Sequence, residues 1–335
     1  MMRLPDFRFV APRSVEEAVD VLASQEPGSA MVVAGGTDLL PNMKRRQQTP
    51  RTLIGLRRIA SLKTITNGSP STSLGAGGLT LGAGLTLSDL VRNARVAERY
   101  AALHEAAAVV ATPHLRNMGT LGGNICLDTR CNYYDQNYEW RKAIDFCMKK
   151  DGATCWVATS SPRCLAVSST DTAPALIALD AEVTLASAAG LRRIALADLY
   201  RNDGIHYLTR RPDELVTAVH LPAAVGWRST YRKLRRRGSF DFPVLSVAAA
   251  VKLGGDGAVQ EARLVLGAVA SRPIVADKAA ASLVGQPLTA EAIARAAGLA
   301  AEPARPMDNT DFTLLWRKRV TREYVTRALQ DLTSP

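Results

Sequence analysis

The sequence predicts an α+β protein in which an αβ region built around a glycine turn is followed by a separate α+β unit. Three observations carry this. A short apolar strand at Met31-Val32-Val33 runs straight into a glycine turn and a helix start. All five cysteines of the 335-residue chain fall between Cys126 and Cys164, inside what otherwise reads as αβ structure. Past Pro222 the pattern changes to three successive strands followed by three helices.

Composition sets the frame. A chain of 335 residues suggests two or three domains, and 47% hydrophobic with 22% charged residues suits packed cores. No apolar run reaches the ~18 residues that span a bilayer. The start, Met1-Met2-Arg3-Leu4-Pro5-Asp6-Phe7, lacks the apolar segment of a signal peptide, so a soluble cytoplasmic protein with no membrane partner is expected. The net charge is +11, but aromatics are only 5% and the basic residues are dispersed. The one dense cluster is Lys233-Leu234-Arg235-Arg236-Arg237. Such a face suits an acidic partner or an anionic ligand better than nucleic acid.

Residues 5–57 read as a small αβ unit. Ser14 with Glu17 forms a capping box, and Ala18, Val19 and Leu22 continue one apolar face. The strand at 31–33 leads into Ala34-Gly35-Gly36-Thr37-Asp38-Leu39-Leu40-Pro41. Two glycines permit close backbone approach, and Thr37 and Asp38 are helix-capping types. Strand, glycine turn and helix start together form a generic pyrophosphate cradle. Neither a GxGxxG fingerprint nor a Walker lysine is present. Thr52–Leu56 is the next strand. Residues 60–80 read as a Gly-, Ser- and Thr-rich loop into a second subdomain, followed by a strand at Leu79–Leu85 and a helix from Thr86. A further helix over 101–110 ends before Pro113, and the glycine loop Gly119-Thr120-Leu121-Gly122-Gly123-Asn124 follows, placing a hydroxyl and an amide around a glycine pair.

Beyond the cysteines the expected elements are a helix at 173–179, strands at 182–185, 193–196 and 215–221, and a boundary near Pro222–Gly226. Strands at 230–234, 244–253 and 259–269 and helices at 276–284, 289–300 and 311–332 make the final unit. In its last helix Leu314, Leu315, Val320, Val325 and Leu329 form the apolar face.

The cysteine spacing is Cys126-x4-Cys131-x15-Cys147-x7-Cys155-x8-Cys164. A cysteine cluster in a cytoplasmic chain favours metal over disulfides. Short paired knuckles typical of structural zinc are missing, and the stretch is rich in Tyr, Trp, Lys and Arg. So long an insertion in an αβ domain is out of the ordinary. An iron–sulfur cluster, zinc and free redox thiols all remain readings of the spacing.

Four motifs in order then carry a family resemblance: Ala34-Gly35-Gly36-Thr37-Asp38-Leu39-Leu40, Met118-Gly119-Thr120-Leu121-Gly122-Gly123-Asn124-Ile125, Asp171-Thr172-Ala173-Pro174-Ala175-Leu176, and Tyr231-Arg232-Lys233-Leu234-Arg235-Arg236-Arg237. Along essentially its whole length the chain resembles the FAD-binding medium subunits of the molybdenum hydroxylases, such as those of xanthine and carbon monoxide dehydrogenases. The resemblance implies a two-subdomain FAD domain of the vanillyl-alcohol-oxidase (PCMH) type over 1–222, split near residue 58, with an insertion at about 126–167. A C-terminal domain of the CO dehydrogenase flavoprotein type would follow over 223–335. The insertion is similar to that of the 4-hydroxybenzoyl-CoA reductase beta subunit. That likeness implies a [4Fe–4S] cluster on Cys131, Cys147, Cys155 and Cys164, with Cys126 left out as a small residue beside the flavin.

Carried over by motif, the FAD pyrophosphate would lie on the backbone of Val33, Ala34, Gly35, Gly36, Thr37, Asp38, Leu39 and Leu40. Thr120, Gly123 and Asn124 would contact the flavin–ribityl–phosphate region. Asp171 would hold a polar group of the cofactor, Lys233 would reach the flavin from the last domain, and Val110 and Val216 would be apolar contacts. No residue here is expected to act as a general acid or base, and His114 and His206 read as structural or surface residues. The resemblance implies a molybdopterin-binding large subunit and a [2Fe–2S] small subunit as partners, in a dimer of heterotrimers. Electrons would run from ferredoxin through the cluster and FAD to molybdenum, where 4-hydroxybenzoyl-CoA becomes benzoyl-CoA. Rival readings are an oxidative molybdenum hydroxylase subunit passing electrons to NAD or another acceptor, and a zinc-stapled scaffold.

Overall fold

The structure is a computed structural model and describes residues 3–68 and 77–333. The part of the expected 60–80 loop at residues 69–76 lies outside the described residues. The first unit consists of β1 (Arg8–Val10), α1 (Val15–Ala23), β2 (Ala30–Val33), α2 (Leu39–Lys44) and β3 (Thr52–Gly55), with a parallel sheet in the order β1-β3-β2. Ser14 caps α1, accepting from the Glu17 amide at 3.1 Å, and Glu17 answers by accepting from the Arg13 amide. Ala18, Val19 and Leu22 of α1 pack on Ile54 and Leu56 as their spacing predicts. β2 is half-buried along its length, although its apolar run reads as a core strand. The reason is that its residues wall a cavity.

The second unit has β4 (Ile65–Asn67), β5 (Leu79–Gly82), α3 (Leu87–Arg92), α4 (Ala94–Arg99), α5 (Ala101–Ala108), α6 (Pro113–Arg116) and α7 (Leu121–Ile125). After it come α8 (Tyr138–Ala143) inside the cysteine insertion, α9 (Thr172–Ala178), β6 (Glu182–Ser187), β7 (Gly190–Ala195) and β8 (Leu215–Leu221). Its antiparallel sheet runs β4-β5-β8-β6-β7. Pro113 starts a helix rather than standing beyond one, with Thr112 as its cap: the fixed proline φ suits a first helical position. The glycine loop at 119–124 closes into α7, capped by Thr120. Gly122 lies so close to Ala83 that a Cβ would sit 2.8 Å from the Ala83 Cβ, so contact overrides the low helix propensity of glycine.

The third unit has β9 (Trp227–Leu234), β10 (Leu245–Leu253), β11 (Val259–Gly267), β12 (Ile274–Val275), α10 (Asp277–Ala281), α11 (Ala290–Ala301) and α12 (Leu314–Gln330), with the antiparallel order β12-β11-β10-β9. β10 is buried on both faces. Val247, Ala249 and Val251 join the core under α11 and α12, while Ala248 and Ala250 join the core shared with α5 and α9. Small side chains let helices approach the strand from both sides, which explains its run of alanines. Leu315 departs from the expected apolar face of α12 and is 75% exposed. Arg317 is instead fully buried, donating from Nε to the Val244 carbonyl at 2.9 Å and through its other nitrogens to the Met307 and Ala268 carbonyls.

His220 of β8 lies between two threonines, with Thr80 Oγ1 3.0 Å from Nδ1 and Thr184 Oγ1 2.7 Å from Nε2. Burial, helped by nearby Arg193, pulls the imidazole down to about 4 from 6.5. The unfolded chain then binds more protons across that window, so stability present above pH 6.5 is lost as pH falls through it toward 4. His220→Gln is expected to flatten this part of the profile, read as urea-unfolding midpoints on either side of the window.

Candidate functional site

One cavity of about 420 Å³ lies where the three units meet. The β2–α2 turn, the start of α7, the segment before α9, β8 and the loop at 240–242 all reach it. Thirteen of the residues expected at a cofactor line it: Val33, Ala34, Gly35, Gly36, Thr37, Asp38, Leu39, Val110, Thr120, Gly123, Asn124, Asp171 and Val216. Two do not. The Leu40 amide donates to the Gly36 carbonyl at 3.2 Å and its side chain folds back over Gly36. Lys233 stands behind the wall, donating to Asp171 Oδ2 at 2.9 Å and to the Val109 carbonyl at 3.2 Å.

The donors are arranged for an anionic, partly polar ligand. Among the described residues the amides of Gly35, Gly36, Thr37 and Asp38 donate to no protein acceptor, which is what a diphosphate needs from a glycine turn. Asp38 itself is not the cap its residue type suggests. Its carboxylate pairs with Arg130 and accepts from Asn42 Nδ2 at 3.0 Å. Asn124 sits in helical α7. Its Oδ1 accepts from Thr170 Oγ1, the Thr172 amide and Thr172 Oγ1 at 2.9, 3.0 and 2.7 Å, leaving the Nδ2 donor uncommitted among the described residues. Burial pushes the Asp171 carboxyl up and the Lys233 ammonium down, and their mutual contact opposes both. Tyr231 donates to the other Asp171 oxygen at 2.7 Å, so the carboxylate is held rigidly.

Sequence reasoning missed Ser169. Its hydroxyl is buried on the cavity wall and has no protein partner among the described residues. A buried unpaired hydroxyl beside apolar walls marks a place where a polar ligand atom completes the bonding. Ser169→Ala is expected to weaken flavin binding about fivefold, in line with the ~1 kcal/mol of a neutral hydrogen bond, measured by fluorescence titration of the apoprotein. Phe240 and Phe242 were also missed, since they reach the cavity from the third unit. His114 and His206 are exposed, as expected.

The insertion supplies both wall and interior. Leu127, Asp128 and Arg130 line the large cavity. Cys131, Cys147, Cys155 and Cys164, each 5–6% exposed, surround a second, small void together with Tyr133, Tyr134, Lys149 and Trp156. Cys126 stands apart on the large cavity. Burial pushes the Cys131 thiol up to about 12 and the Cys164 thiol up to about 11. Among the described residues no group of three or more His, Cys, Asp or Glu is set to hold a metal ion. No helix there is long and apolar enough to cross a membrane.

Comparison with known proteins identifies the class. Residues 5–224 match the family described as the FAD binding domain in molybdopterin dehydrogenase, and residues 229–332 match the CO dehydrogenase flavoprotein C-terminal domain. The chain belongs to the FAD-binding medium subunits of the molybdenum hydroxylase family, and is thus an oxidoreductase subunit. It is 36% identical over 285 residues to the aldehyde oxidoreductase FAD-binding subunit PaoB of Escherichia coli, covering 82% of this chain and 86% of that one. It is 27% identical to the carbon monoxide dehydrogenase medium chain of Hydrogenophaga pseudoflava, over 97% of this chain and 96% of that one. The solved carbon monoxide dehydrogenase from Hydrogenophaga pseudoflava that lacks the Mo-pyranopterin moiety superposes with a TM-score of 0.80, covering 98% of both chains at 27% identity. The α+β architecture and FAD as cofactor thus agree with the sequence reading.

Proposed function

We propose that the chain is an electron-transfer subunit that holds FAD in the large cavity and an iron–sulfur cluster among Cys131, Cys147, Cys155 and Cys164. The observation that carries it is four buried cysteines of one insertion surrounding a single void beside the flavin cavity. FAD supplies one- and two-electron transfer, and a thiolate-held iron–sulfur cluster supplies one-electron transfer. The chain's own residues hold and insulate. The free amides of the glycine turn and the Ser169 hydroxyl are placed for the polar parts of FAD, and Val110 and Val216 for its apolar face. Lys233 acts at one remove, by fixing Asp171. We read residues 1–222 as the FAD domain, dividing near residue 58 and carrying the insertion at about 126–167, and 223–335 as the C-terminal domain.

Substrate chemistry belongs to a molybdopterin-binding large subunit, linked through a [2Fe–2S] small subunit. The insertion favours reductive removal of the hydroxyl of 4-hydroxybenzoyl-CoA, with ferredoxin as donor and the basic face meeting an acidic protein. The 36% identity with an aldehyde oxidoreductase subunit favours oxidation of an aldehyde instead. Assays of the anaerobically isolated complex separate the two. Turnover of 4-hydroxybenzoyl-CoA with reduced ferredoxin supports the first. Oxidation of aldehydes with no reductase turnover overturns it in favour of the second.

A further inference from the structure

We propose that Lys149 is a positioning residue whose fixed charge sets the electrostatic environment of the cysteine void, balanced by Asp128 on the wall of the flavin cavity. The inference rests on the reading of the four cysteines as iron–sulfur ligands. Lys149 lines the cysteine void and Asp128 lines the large cavity, so this one ion pair spans the partition between them. Both side chains are only 6% exposed. The ammonium donates to Asp128 Oδ1 at 2.8 Å, Thr129 Oγ1 at 2.7 Å and the Gly204 carbonyl at 2.6 Å, which uses all three of its protons. Its nitrogen also stands 4.8 and 5.5 Å from the ring centres of Tyr134 and Tyr207. The group therefore cannot swing away. The backbone it grips lies against a cysteine: a Cβ on Gly204 would come within 2.7 Å of Cys164 Sγ. On its other side Asp128 accepts from Tyr134 Oη at 3.0 Å and Gln48 Nε2 at 3.2 Å, which fixes the carboxylate too.

A charge pinned in a dry wall acts far more strongly on its neighbours than one in water. Adding an electron to a group in the void makes it more negative, which the ammonium favours and the carboxylate opposes. Removing either charge must therefore shift the reduction equilibrium, and in opposite directions. A lysine that only stapled the loop would change stability or iron content without that pair of signs.

The test is an EPR-monitored redox titration of the anaerobically isolated complex, with iron and FAD counted for each variant. Lys149→Met is expected to disfavour reduction of the cluster about tenfold, or 59 mV for one electron. Lys149→Arg should restore most of that shift, and Asp128→Asn should favour reduction. Normal iron content with reduction unchanged, or shifted in the same direction by Lys149→Met and Asp128→Asn, overturns the proposal. Should Lys149→Met fail to retain iron, Asp128→Asn alone decides by the sign of its shift. Wild-type protein without iron overturns the cluster reading itself, and the role of Lys149 with it.

Discussion

On the proposed cluster reading, Cys147→Ser is expected to remove the iron from the subunit, taking it from about four per chain to near none. Cys147 is buried at the centre of a tight turn in which its carbonyl accepts from the Lys150 and Gly152 amides at 2.8 and 3.1 Å. It lines the same void as Cys131, Cys155 and Cys164. The apolar core of the insertion is small, with Cys131, Tyr134, Cys147, Cys164 and Ala166 as its buried members. Losing one ligand thus also removes much of what holds the loop. Metal analysis and the EPR signal of the dithionite-reduced protein read the first effect, and protease sensitivity within residues 126–167 reads the second. Cys126→Ser is the matched control and should keep its iron, because Cys126 lies on the other cavity. Full iron in the Cys147→Ser protein, or one zinc and no iron in the parent, would sink the cluster reading.

Gly35→Ala is expected to abolish stable FAD binding and lower stability together. A Cβ at residue 35 would stand 1.9 Å from the Met118 carbonyl oxygen and 2.5 Å from its carbon. Those are backbone atoms of the segment leading into α7, so no side-chain rotation relieves the clash. The cost should exceed the ~1–3 kcal/mol of ordinary overpacking. The β2–α2 turn and the Thr120 region would be forced apart, and both line the cavity. Flavin content after purification and the thermal midpoint of the apoprotein are the readouts. A normal flavin content would show that the close approach is dispensable. Gly36→Ala is a useful companion, since Gly36 has φ +71° and its nearest neighbour is the mobile end of Leu40, so its effect should be conformational and smaller.

Gly35 also shows how far the sequence could be read. The glycine pair after β2 pointed to close backbone approach by a ligand, and the turn does line the cavity. The closest approach is nevertheless made by the chain itself, at Met118. Glycine says that something comes near, but not what. The period of the apolar residues was enough for α1 and α11, because each buries one face against a core. It was not enough for β2, whose half-buried state follows from a cavity built by distant segments. Nor could it place Arg317, since an arginine in an apolar stripe looks like a solvent-facing residue until three carbonyls are brought to it. Asp38 was misread for a related reason: its partner Arg130 lies in the insertion. The cysteine spacing marked a cluster of thiols without separating them; the family resemblance set Cys126 apart beside the flavin, and Cys126 does line the large cavity while the other four line the small void.

Arg317 has a consequence for the order in which the protein is made. The three carbonyls it satisfies belong to Val244, Ala268 and Met307, at the start of β10, just past the end of β11 and ahead of α12. Until residue 317 has been synthesised, the Val244 and Ala268 carbonyls lack their Arg317 donor, and β10 lacks the helix that covers its Val247 face. The sheet made by residues 227–275 can pair its strands earlier but cannot bury them dry. This unit is therefore committed late on the ribosome, as a single step that waits for α12, after the flavin-cradling strands have left it.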